Sequence, residues 1–276
     1  MLDNNELKNI AVITGASSGI GREFVIQLLT RDDIDEFWII ARDLDKLLEL
    51  KENISKPIKV LALDLSKMDE LEKYRVELEK SNVNIKLLIN CAGFGKFDHD
   101  ENIKLDTKLN MIDLNVKAIV SMCDFSLQYM SEGAGIINIS STAGFQPVPG
   151  GNIYAATKSF VLYYSRALNA ELRYRKIRVL AVCPFWTRTN FFDRAVPSGK
   201  KEVVINYAVM YEPEDVVKKA LKDLKRKKKD VSLYGFKNCC QILLVKLLPH
   251  KLVMKVWMLQ QKLDGTPNIR KEKSVH

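Results

Sequence analysis

The chain has 276 residues, of which 47% are hydrophobic, and its formal net charge is +9 at pH 7. The length suits one large α/β domain better than two small domains, and the apolar fraction is enough to build a sizeable core. No apolar run approaches the roughly 20 residues that span a bilayer, and the five cysteines follow no zinc-binding spacing, so we expect neither a transmembrane helix nor a metal site.

Short apolar runs alternate with helical patterns along most of the chain. The runs are nearly continuous in apolar residues, which is typical of strands that are covered on both faces. Strict alternation of strand and helix predicts an α/β fold with a doubly wound parallel sheet. Strands are predicted at residues 10–14, 37–41, 58–63, 86–89, 135–139 and 177–183, with a weaker one at 231–234. Helices are predicted at residues 19–30, 43–55, 67–81, 105–130, 153–175 and 213–228.

Residues 11–23, AVITGASSGIGRE, lead from the first predicted strand through a glycine-rich turn into the first helix. Residues 15–19 fit the G-x-S-x-G pattern of a serine nucleophile, while Gly15, Gly19 and Gly21 fit a loop that brings backbone to a phosphate. A serine nucleophile needs a histidine base, and the chain has three histidines, none in a setting that suggests one. The pattern therefore favours a cofactor-phosphate loop, with an ordinary tight turn as the alternative.

The second predicted strand ends in IIARDLDKL. NAD-selective sites commonly place an acidic residue there to bind the ribose 2′-hydroxyl, but this chain has Ala41 and then Arg42. A missing carboxylate and an added guanidinium suit a 2′-phosphate, so we predict NADP(H) rather than NAD(H). Asp43 comes too late for the acidic role and is expected to begin the next helix. The alternative is that Arg42 is an ordinary surface arginine.

The stretch ISSTAGFQPVPGGNIYAATKSF carries the residues best suited to chemistry. Tyr154 and Lys158 are four residues apart and therefore share one face of the predicted helix. Lys158 is expected to stabilise the phenolate and so lower the pKa of Tyr154, which makes an acid–base group usable near neutral pH. Ser141 precedes Tyr154 by thirteen residues, and its hydroxyl could hydrogen-bond a substrate oxygen beside the Tyr154 hydroxyl.

Three shorter stretches extend this pattern: ALDLS around Asp64, NCAG at residues 90–93 and IDLNVKA around Asn115. With the glycine loop, the serine and the tyrosine–lysine pair, the pattern closely resembles the short-chain dehydrogenase/reductase family over roughly residues 8–234. The resemblance implies a Rossmann-type sheet of about seven strands in the order 3-2-1-4-5-6-7. It also implies hydride transfer between a nicotinamide cofactor and a secondary alcohol or ketone.

The resemblance assigns catalytic roles to Asn115, Ser141, Tyr154 and Lys158. Tyr154 would donate the proton in the reductive direction while Ser141 polarises the carbonyl. Lys158 would bind the nicotinamide ribose, and Asn115 would connect it to solvent through water. The cofactor-binding residues implied in the same way are Gly15, Ser17, Ser18, Gly19, Ile20, Gly21, Arg42, Asp64, Leu65, Asn90, Ala92, Gly93, Tyr154, Lys158, Pro184, Thr187 and Thr189. The alternative is a family member that binds the cofactor without catalysis.

Two positions depart from the family pattern. Cys91 replaces the usual second asparagine of NCAG, and because cysteine is small and easily buried we expect a tolerated packing change. Phe185 follows Pro184 where the family usually has glycine. The chain therefore loses backbone freedom there and gains an aromatic ring where the substrate should enter.

Aromatic residues crowd the expected substrate side, which favours a bulky apolar alcohol or ketone over a sugar or hydroxy acid. A hydroxysteroid or bile acid is the first hypothesis, and a long-chain acyl or other lipophilic ketone is the second. The alternative is that these rings pack the loop onto the core. The predicted substrate-binding residues are Ser141, Phe145, Tyr154, Phe185, Trp186 and Phe191.

Two segments fall outside the strand–helix alternation. Residues 184–212 form a long connection after the sixth strand, where open α/β sheets bind their ligands. Residues 236–263 are amphipathic and are broken at Pro249, which predicts two helices. We expect a dehydrogenase domain at residues 1–235 and a helical extension at 236–276. The extension could cap the pocket, form an oligomer contact or rest on a membrane surface.

Three further expectations concern partners and location. The predicted helix at 105–130 is apolar on several sides and, with Phe160, Val161 and Tyr164, fits the family's four-helix interface, so a homodimer or homotetramer is expected. The basic run at 225–229 indicates a solvated helix end rather than a nucleic-acid patch. The polar, acidic start of the chain is unlike a secretory signal, so the cysteines indicate reduced thiols in a cytoplasmic protein.

Overall fold

The computed structural model describes residues 7–195, 203–204, 209–226 and 228–263. Seven strands occur within these residues: β1 (Lys8–Thr14), β2 (Glu36–Ala41), β3 (Ile58–Ala62), β4 (Val83–Asn90), β5 (Gly135–Ile139), β6 (Arg178–Val182) and β7 (Val231–Ser232). They form one parallel sheet in the order β3-β2-β1-β4-β5-β6-β7. The predicted doubly wound sheet and its strand order are therefore confirmed.

The helices of the described residues alternate with the strands and then continue beyond β7. They are α1 (Gly19–Leu28), α2 (Leu44–Glu52), α3 (Met68–Glu79), α4 (Leu105–Ile112), α5 (Ala118–Leu127), α6 (Asn152–Glu171), α7 (Phe191–Ala195), α8 (Pro213–Leu224), α9 (Phe236–Leu247) and α10 (His250–Gln261). The last two match the helices predicted on either side of Pro249. No described helix is long and apolar enough to cross a membrane.

The sheet lies between two apolar cores. Ile10 and Val12 of β1 pack into the core formed with α3, α5 and α6. Ala11 and Ile13 enter the opposite core, formed with α1, α2 and α8. Successive side chains of a strand point to opposite faces, so a strand that is buried on both faces is apolar at every position. This explains the nearly continuous apolar runs of the sequence.

The predicted helix at 105–130 differs from the structure in one respect. α4 and α5 form one helical run, but Asp113–Lys117 between them has the wider hydrogen-bonding pattern of a π-helix. Such segments are rare and often lie at functional sites. The apolar spacing of the sequence is uninterrupted there and therefore predicts a single regular helix.

The loops that follow β1, β4, β5 and β6 meet at one edge of the sheet. The Thr14 hydroxyl at the end of β1 accepts hydrogen bonds from the backbone N–H groups of Cys91 and Ala92, both at 3.0 Å. The Ser140 N–H after β5 donates to the Val182 carbonyl of β6 at 2.8 Å. The chain order reverses between β1 and β4, and open α/β sheets bind ligands at such a switch point.

Parts of two predicted segments lie outside the described residues. They are residues 196–202 and 205–208 of the connection at 184–212, and residues 264–276 of the C-terminal extension.

Candidate active site

The loop between β1 and α1 is shaped by glycines. Gly15 and Gly19 have φ angles of +66° and +53°, in the left-handed region that favours glycine. A Cβ on Gly15 would lie 2.9 Å from the Ala92 nitrogen, and one on Gly21 would lie 2.3 Å from the Gly15 carbonyl oxygen. The loop therefore has no room for side chains at these positions. It leads directly into α1, whose N-terminal N–H groups attract a phosphate.

A cavity of about 600 Å³ is lined by this loop and by the loops at the carboxyl edge of the sheet. Every predicted cofactor-binding residue except Asn90 lines it. No histidine of the described residues does, so Ser17 lacks the base that a serine nucleophile requires. Nor do the described residues include a group of side chains that could hold a metal ion.

Asn90 lies behind the cavity rather than in its wall. Its Nδ2 donates to Oδ1 of Asn138 on the neighbouring strand at 2.9 Å, and Asn138 Nδ2 donates to the Ser165 hydroxyl at 2.9 Å. Asn90 and Asn138 are paired in register on β4 and β5 and therefore point to the same face of the sheet. The Asn90 side chain thus helps to join two strands to α6, and its contact with the cofactor stays a prediction.

Cationic side chains gather where β2 ends. Arg42, Lys46 and Arg194 all line the cavity. Burial, followed by the charge of Arg42, lowers the pKa of Arg194, while Asp64 partly offsets this effect. Asp43 caps α2 by accepting a hydrogen bond from the Lys46 N–H at 3.2 Å, as predicted. Arg194 lies on α7, far from Arg42 in the sequence, and the folded chain brings the two residues to the same cavity.

Tyr154, Lys158 and Ser141 meet in the cavity wall. Tyr154 and Lys158 lie one turn apart on α6 and are 8% and 5% exposed. Lys158 Nζ donates to the Ile139 carbonyl at 2.8 Å. Ser141 follows β5, its Oγ accepts a hydrogen bond from the Ala143 N–H at 3.1 Å, and its hydroxyl is near enough to that of Tyr154 to influence the Tyr154 pKa. The structure therefore assembles the three residues that the sequence pattern predicted together.

The pKa of Tyr154 does not follow the expected direction. Burial raises the pKa of Tyr154 to about 12, and the nearby Ser141 hydroxyl offsets only part of this. Burial also lowers the pKa of Lys158 to about 8. Lys158 Nζ lies 5.7 Å from the centre of the Tyr154 ring, and desolvation outweighs attraction over that separation. Tyr154 is therefore held in its protonated form, which suits a proton donor.

Asn115 lies in the π-helical segment and is fully buried. Its Oδ1 accepts from the Phe94 N–H at 3.0 Å, and its Nδ2 donates to the Phe94 carbonyl at 2.8 Å. A Cβ on Gly93 would lie 2.9 Å from Asn115 Oδ1 and 3.4 Å from Lys158 Nζ. Asn115 does not line the cavity. It is nevertheless close to Lys158, because both side chains lie beside Gly93.

Aromatic rings form one wall of the cavity. The Phe97 ring lies 5.5 Å from that of Tyr154 and 6.1 Å from that of Trp186, and the Phe191 ring lies 5.5 Å from that of Tyr154. Phe185 also lines this side. Phe97 was missed because it stands in the polar stretch KFDHDEN. Phe97 is nevertheless buried, because its ring packs against Tyr154 and Ala195. Its backbone N–H donates to the Ala195 carbonyl of α7 at 3.0 Å.

Phe145, the remaining predicted substrate residue, does not line the cavity. Its ring packs on the cluster of Leu162, Ala181 and Cys183, and Lys246 Nζ of α9 lies 5.1 Å from its centre. The 3-10 turn Thr142–Phe145 leads the chain from the cavity to this site. Phe145 therefore supports the C-terminal extension instead.

The extension also borders the cavity. Gln241 and Ile242 of α9 and Trp257 of α10 line it. Trp257 Nε1 donates to the Pro149 carbonyl at 2.9 Å, which fixes α10 to the segment before α6. The amphipathic pattern of residues 236–263 shows neither where the extension lies nor that these three residues border the cavity.

Replacing Lys158 by methionine is expected to change the pH dependence of stability. The folded chain has a Lys158 pKa of about 8, below the ordinary 10.5, so below pH 8 folding must keep a charge buried. This cost disappears as pH rises from about 8 to 10.5. Relative to wild type, the free energy of unfolding of Lys158→Met should therefore be higher at pH 7 than at pH 10.5 by roughly 3 kcal/mol.

Denaturant unfolding at both pH values measures this difference. The exposed Lys80→Met is the matched control, for which we expect no comparable pH dependence. An equal effect of the two substitutions would contradict the burial of a charged Lys158.

Comparisons with known proteins agree with this geometry. Residues 9–199 match the family model described as short chain dehydrogenase. The very-long-chain 3-oxoacyl-CoA reductase of Bos taurus is 31% identical over 226 residues, which cover 78% of this chain and 68% of that protein. A short-chain dehydrogenase from Sphingobium yanoikuyae in complex with NADPH is 28% identical, with a TM-score of 0.74 and coverage of 89% and 94%. The bulky-bulky ketone specific alcohol dehydrogenase from Comamonas testosteroni is 27% identical, with a TM-score of 0.68 and coverage of 87% and 92%.

Proposed function

Because this chain belongs to the short-chain dehydrogenase family and is an oxidoreductase, we propose that it is an NADP(H)-dependent alcohol dehydrogenase or ketoreductase for bulky apolar substrates. The observation that carries the proposal is the meeting of Ser141, Tyr154 and Lys158 in a cavity that also contains the glycine loop. A cofactor-binding member without catalysis would not need these three residues together.

The cavity fits NADP(H). When bound, NADP(H) supplies or accepts the hydride of the reaction. The glycine loop and the N-terminus of α1 would hold the pyrophosphate, since the loop has no room for a Cβ at Gly15 or Gly21. Arg42 and Arg194 would hold the 2′-phosphate, because two neighbouring guanidinium groups are stabilised by an anion between them. A related protein that binds NADPH supports this choice of cofactor.

The chain's own residues would handle the proton. In the reductive direction the protonated Tyr154 hydroxyl gives its proton to the substrate oxygen, which becomes the alcohol. Ser141 hydrogen-bonds the same oxygen and so keeps it beside Tyr154. Lys158 places a positive charge near the phenolate that remains, and Asn115, close to Lys158, would help to connect it to solvent through water.

The aromatic wall and the cavity size support a bulky apolar substrate. A hydroxysteroid or bile acid remains the first candidate. The similarity to a 3-oxoacyl-CoA reductase favours a long-chain acyl ketone as the second. A ketone-specific relative described as acting on bulky-bulky ketones is consistent with either candidate.

The exposed apolar residues of two helices support a homodimer as part of the proposal. Leu109, Ile112, Phe160 and Tyr163 are exposed on α4 and α6, whereas Val161, named in the predicted interface, is fully buried in the core. The five free cysteines support a reducing compartment, and we place the protein in the cytoplasm on that ground.

A panel of carbonyl compounds tests the proposed activity. With NADPH, we expect keto-steroids or long-chain 3-oxoacyl thioesters to be reduced with kcat/KM at least about tenfold above that of small ketones, because the larger substrates bury more apolar area. Trp186→Ala should reduce this preference. If the protein binds NADPH but reduces none of the substrates, the proposed enzymatic activity is refuted and the non-catalytic alternative remains.

A further inference from the structure

Helix α9 has an apolar side that the protein does not cover. Ile242 and Val245 are buried. The opposite side carries an exposed stripe, called here the α9 stripe, which consists of Phe236, Cys240, Leu243 and Leu247. Spacings of four, three and four residues place these side chains on one side of a helix.

The stripe is too large to be ordinary scatter of exposed leucines. Leu243 is 59% exposed and Leu247 is 72% exposed. The following helix repeats the arrangement, because Leu252, Val256 and Leu259 of α10 are exposed at spacings of four and three residues. Single exposed leucines need no explanation, but grouped ones mark interaction surfaces.

The charges of this segment are of one sign. The hairpin, defined as residues 236–263, contains five lysines and no aspartate or glutamate. Lys237 and Lys246 lie on α9 outside the stripe, and both are exposed. Long lysine side chains can cover apolar surface while their charges reach polar groups. Apolar stripes flanked by lysines are typical of helices that lie in a membrane interface.

We propose that the hairpin binds the surface of a lipid bilayer that contains anionic lipids. The leucines of the α9 stripe enter the headgroup region, and the lysines contact lipid phosphates. A second copy of the chain fits this surface less well. A two-fold contact would place the same face against itself, so lysines would meet lysines with no carboxylate in the hairpin to compensate them.

Residues of the α9 stripe are sequence neighbours of residues that line the cavity. Gln241 and Ile242 line the cavity, and they stand between Cys240 and Leu243 of the stripe. Lipid contact would therefore hold one cavity wall at the bilayer surface, where lipophilic ketones dissolve. This consequence for substrate access rests on the proposed function, whereas lipid binding itself does not.

Vesicle flotation with the full chain tests the proposal. We expect the chain to float with vesicles of phosphatidylcholine and phosphatidylglycerol at low salt, to bind less at high salt and to bind least to phosphatidylcholine alone. Leu243→Asn with Leu247→Asn should weaken binding at least about tenfold through lost apolar contact. Lys251→Gln with Lys255→Gln should weaken it about fivefold for each lysine.

Matched controls distinguish binding through this surface from non-specific binding through other exposed leucines or lysines. Leu44→Asn with Leu48→Asn changes two exposed leucines on α2, and Lys225→Gln with Lys229→Gln removes two charges elsewhere. Both pairs should retain flotation within about threefold. Absence of flotation with anionic vesicles at low salt, or an equal loss in the controls, would overturn the proposal.

Light scattering distinguishes the second occupant. Suppose that the wild type is a dimer that does not float, and that the variant with Leu243→Asn and Leu247→Asn is a monomer. The stripe then joins two copies of the chain, and the lipid proposal is wrong. The carbonyl panel is measured without lipid, so its outcome is independent of flotation.

Discussion

Replacing Tyr154 by phenylalanine is expected to lower kcat for ketone reduction by roughly 10²–10⁴-fold, since it removes the only group proposed to donate the proton. The ring that remains keeps its packing against Phe97 and Phe191, both at 5.5 Å. The dissociation constant for NADPH should therefore change by less than about threefold, because one neutral hydrogen bond contributes little. Steady-state kinetics and a fluorescence titration measure the two quantities separately.

Tyr163→Phe is the control for this experiment. Tyr163 lies on the same helix, is 65% exposed and is outside the cavity, so its loss should leave both kcat and NADPH affinity unchanged. An active Tyr154→Phe variant, with more than about a tenth of wild-type kcat, would refute the assignment of Tyr154 as the acid. A silent wild type that binds NADPH would refute catalysis as a whole.

The second large effect is expected on the binding of the 2′-phosphate of NADPH. Arg42→Ala should weaken NADPH binding by about 10–100-fold, which corresponds to the loss of a charge-assisted contact. NADH binding should change by less than about threefold, because NADH has no phosphate at that position. Calorimetric titration with both nucleotides gives the discrimination directly. Equal affinity of the wild type for NADPH and NADH would contradict the choice of cofactor.

Arg194 distinguishes a clamp of two residues from a single contact. If Arg194 also holds the 2′-phosphate, Arg194→Ala should weaken NADPH binding by at least about fivefold and leave NADH binding unchanged. Arg188→Ala removes an equal charge nearby from an exposed arginine that pairs with Glu212 outside the cavity, and it should have little effect. Identical results for the two substitutions would mean that Arg194 acts only through net charge.

Much of the fold could be predicted because its signal is local. The strands β1, β5 and β6 are buried on both faces, and their apolar runs show this directly. β4 begins three residues before the prediction, at Val83, because its first residues alternate between buried and half-exposed positions. An alternating start gives a weaker signal than a continuous apolar run.

The candidate site divides in the same way. Tyr154 and Lys158 are separated by one helical turn, and the glycine loop lies within a single strand–turn–helix unit, so short spacings indicated their positions. Phe145 shows the limit of this approach. It is near Ser141 in the chain, yet a short turn carries its ring away from the cavity and towards Lys246.

The sequence by itself determined the sheet, the glycine loop and the residues of the proposed catalytic group, since each depends on periodicity or on spacings of a few residues. Only the tertiary structure decided that Arg194 joins Arg42, that Asn90 ties two strands together, and that α9 and α10 border the cavity. It also decided the direction of the Tyr154 pKa. Contacts between residues far apart in the chain, and the burial that they cause, have no periodic trace in the sequence. Desolvation acts through that burial, so it appears only when the packed molecule is known.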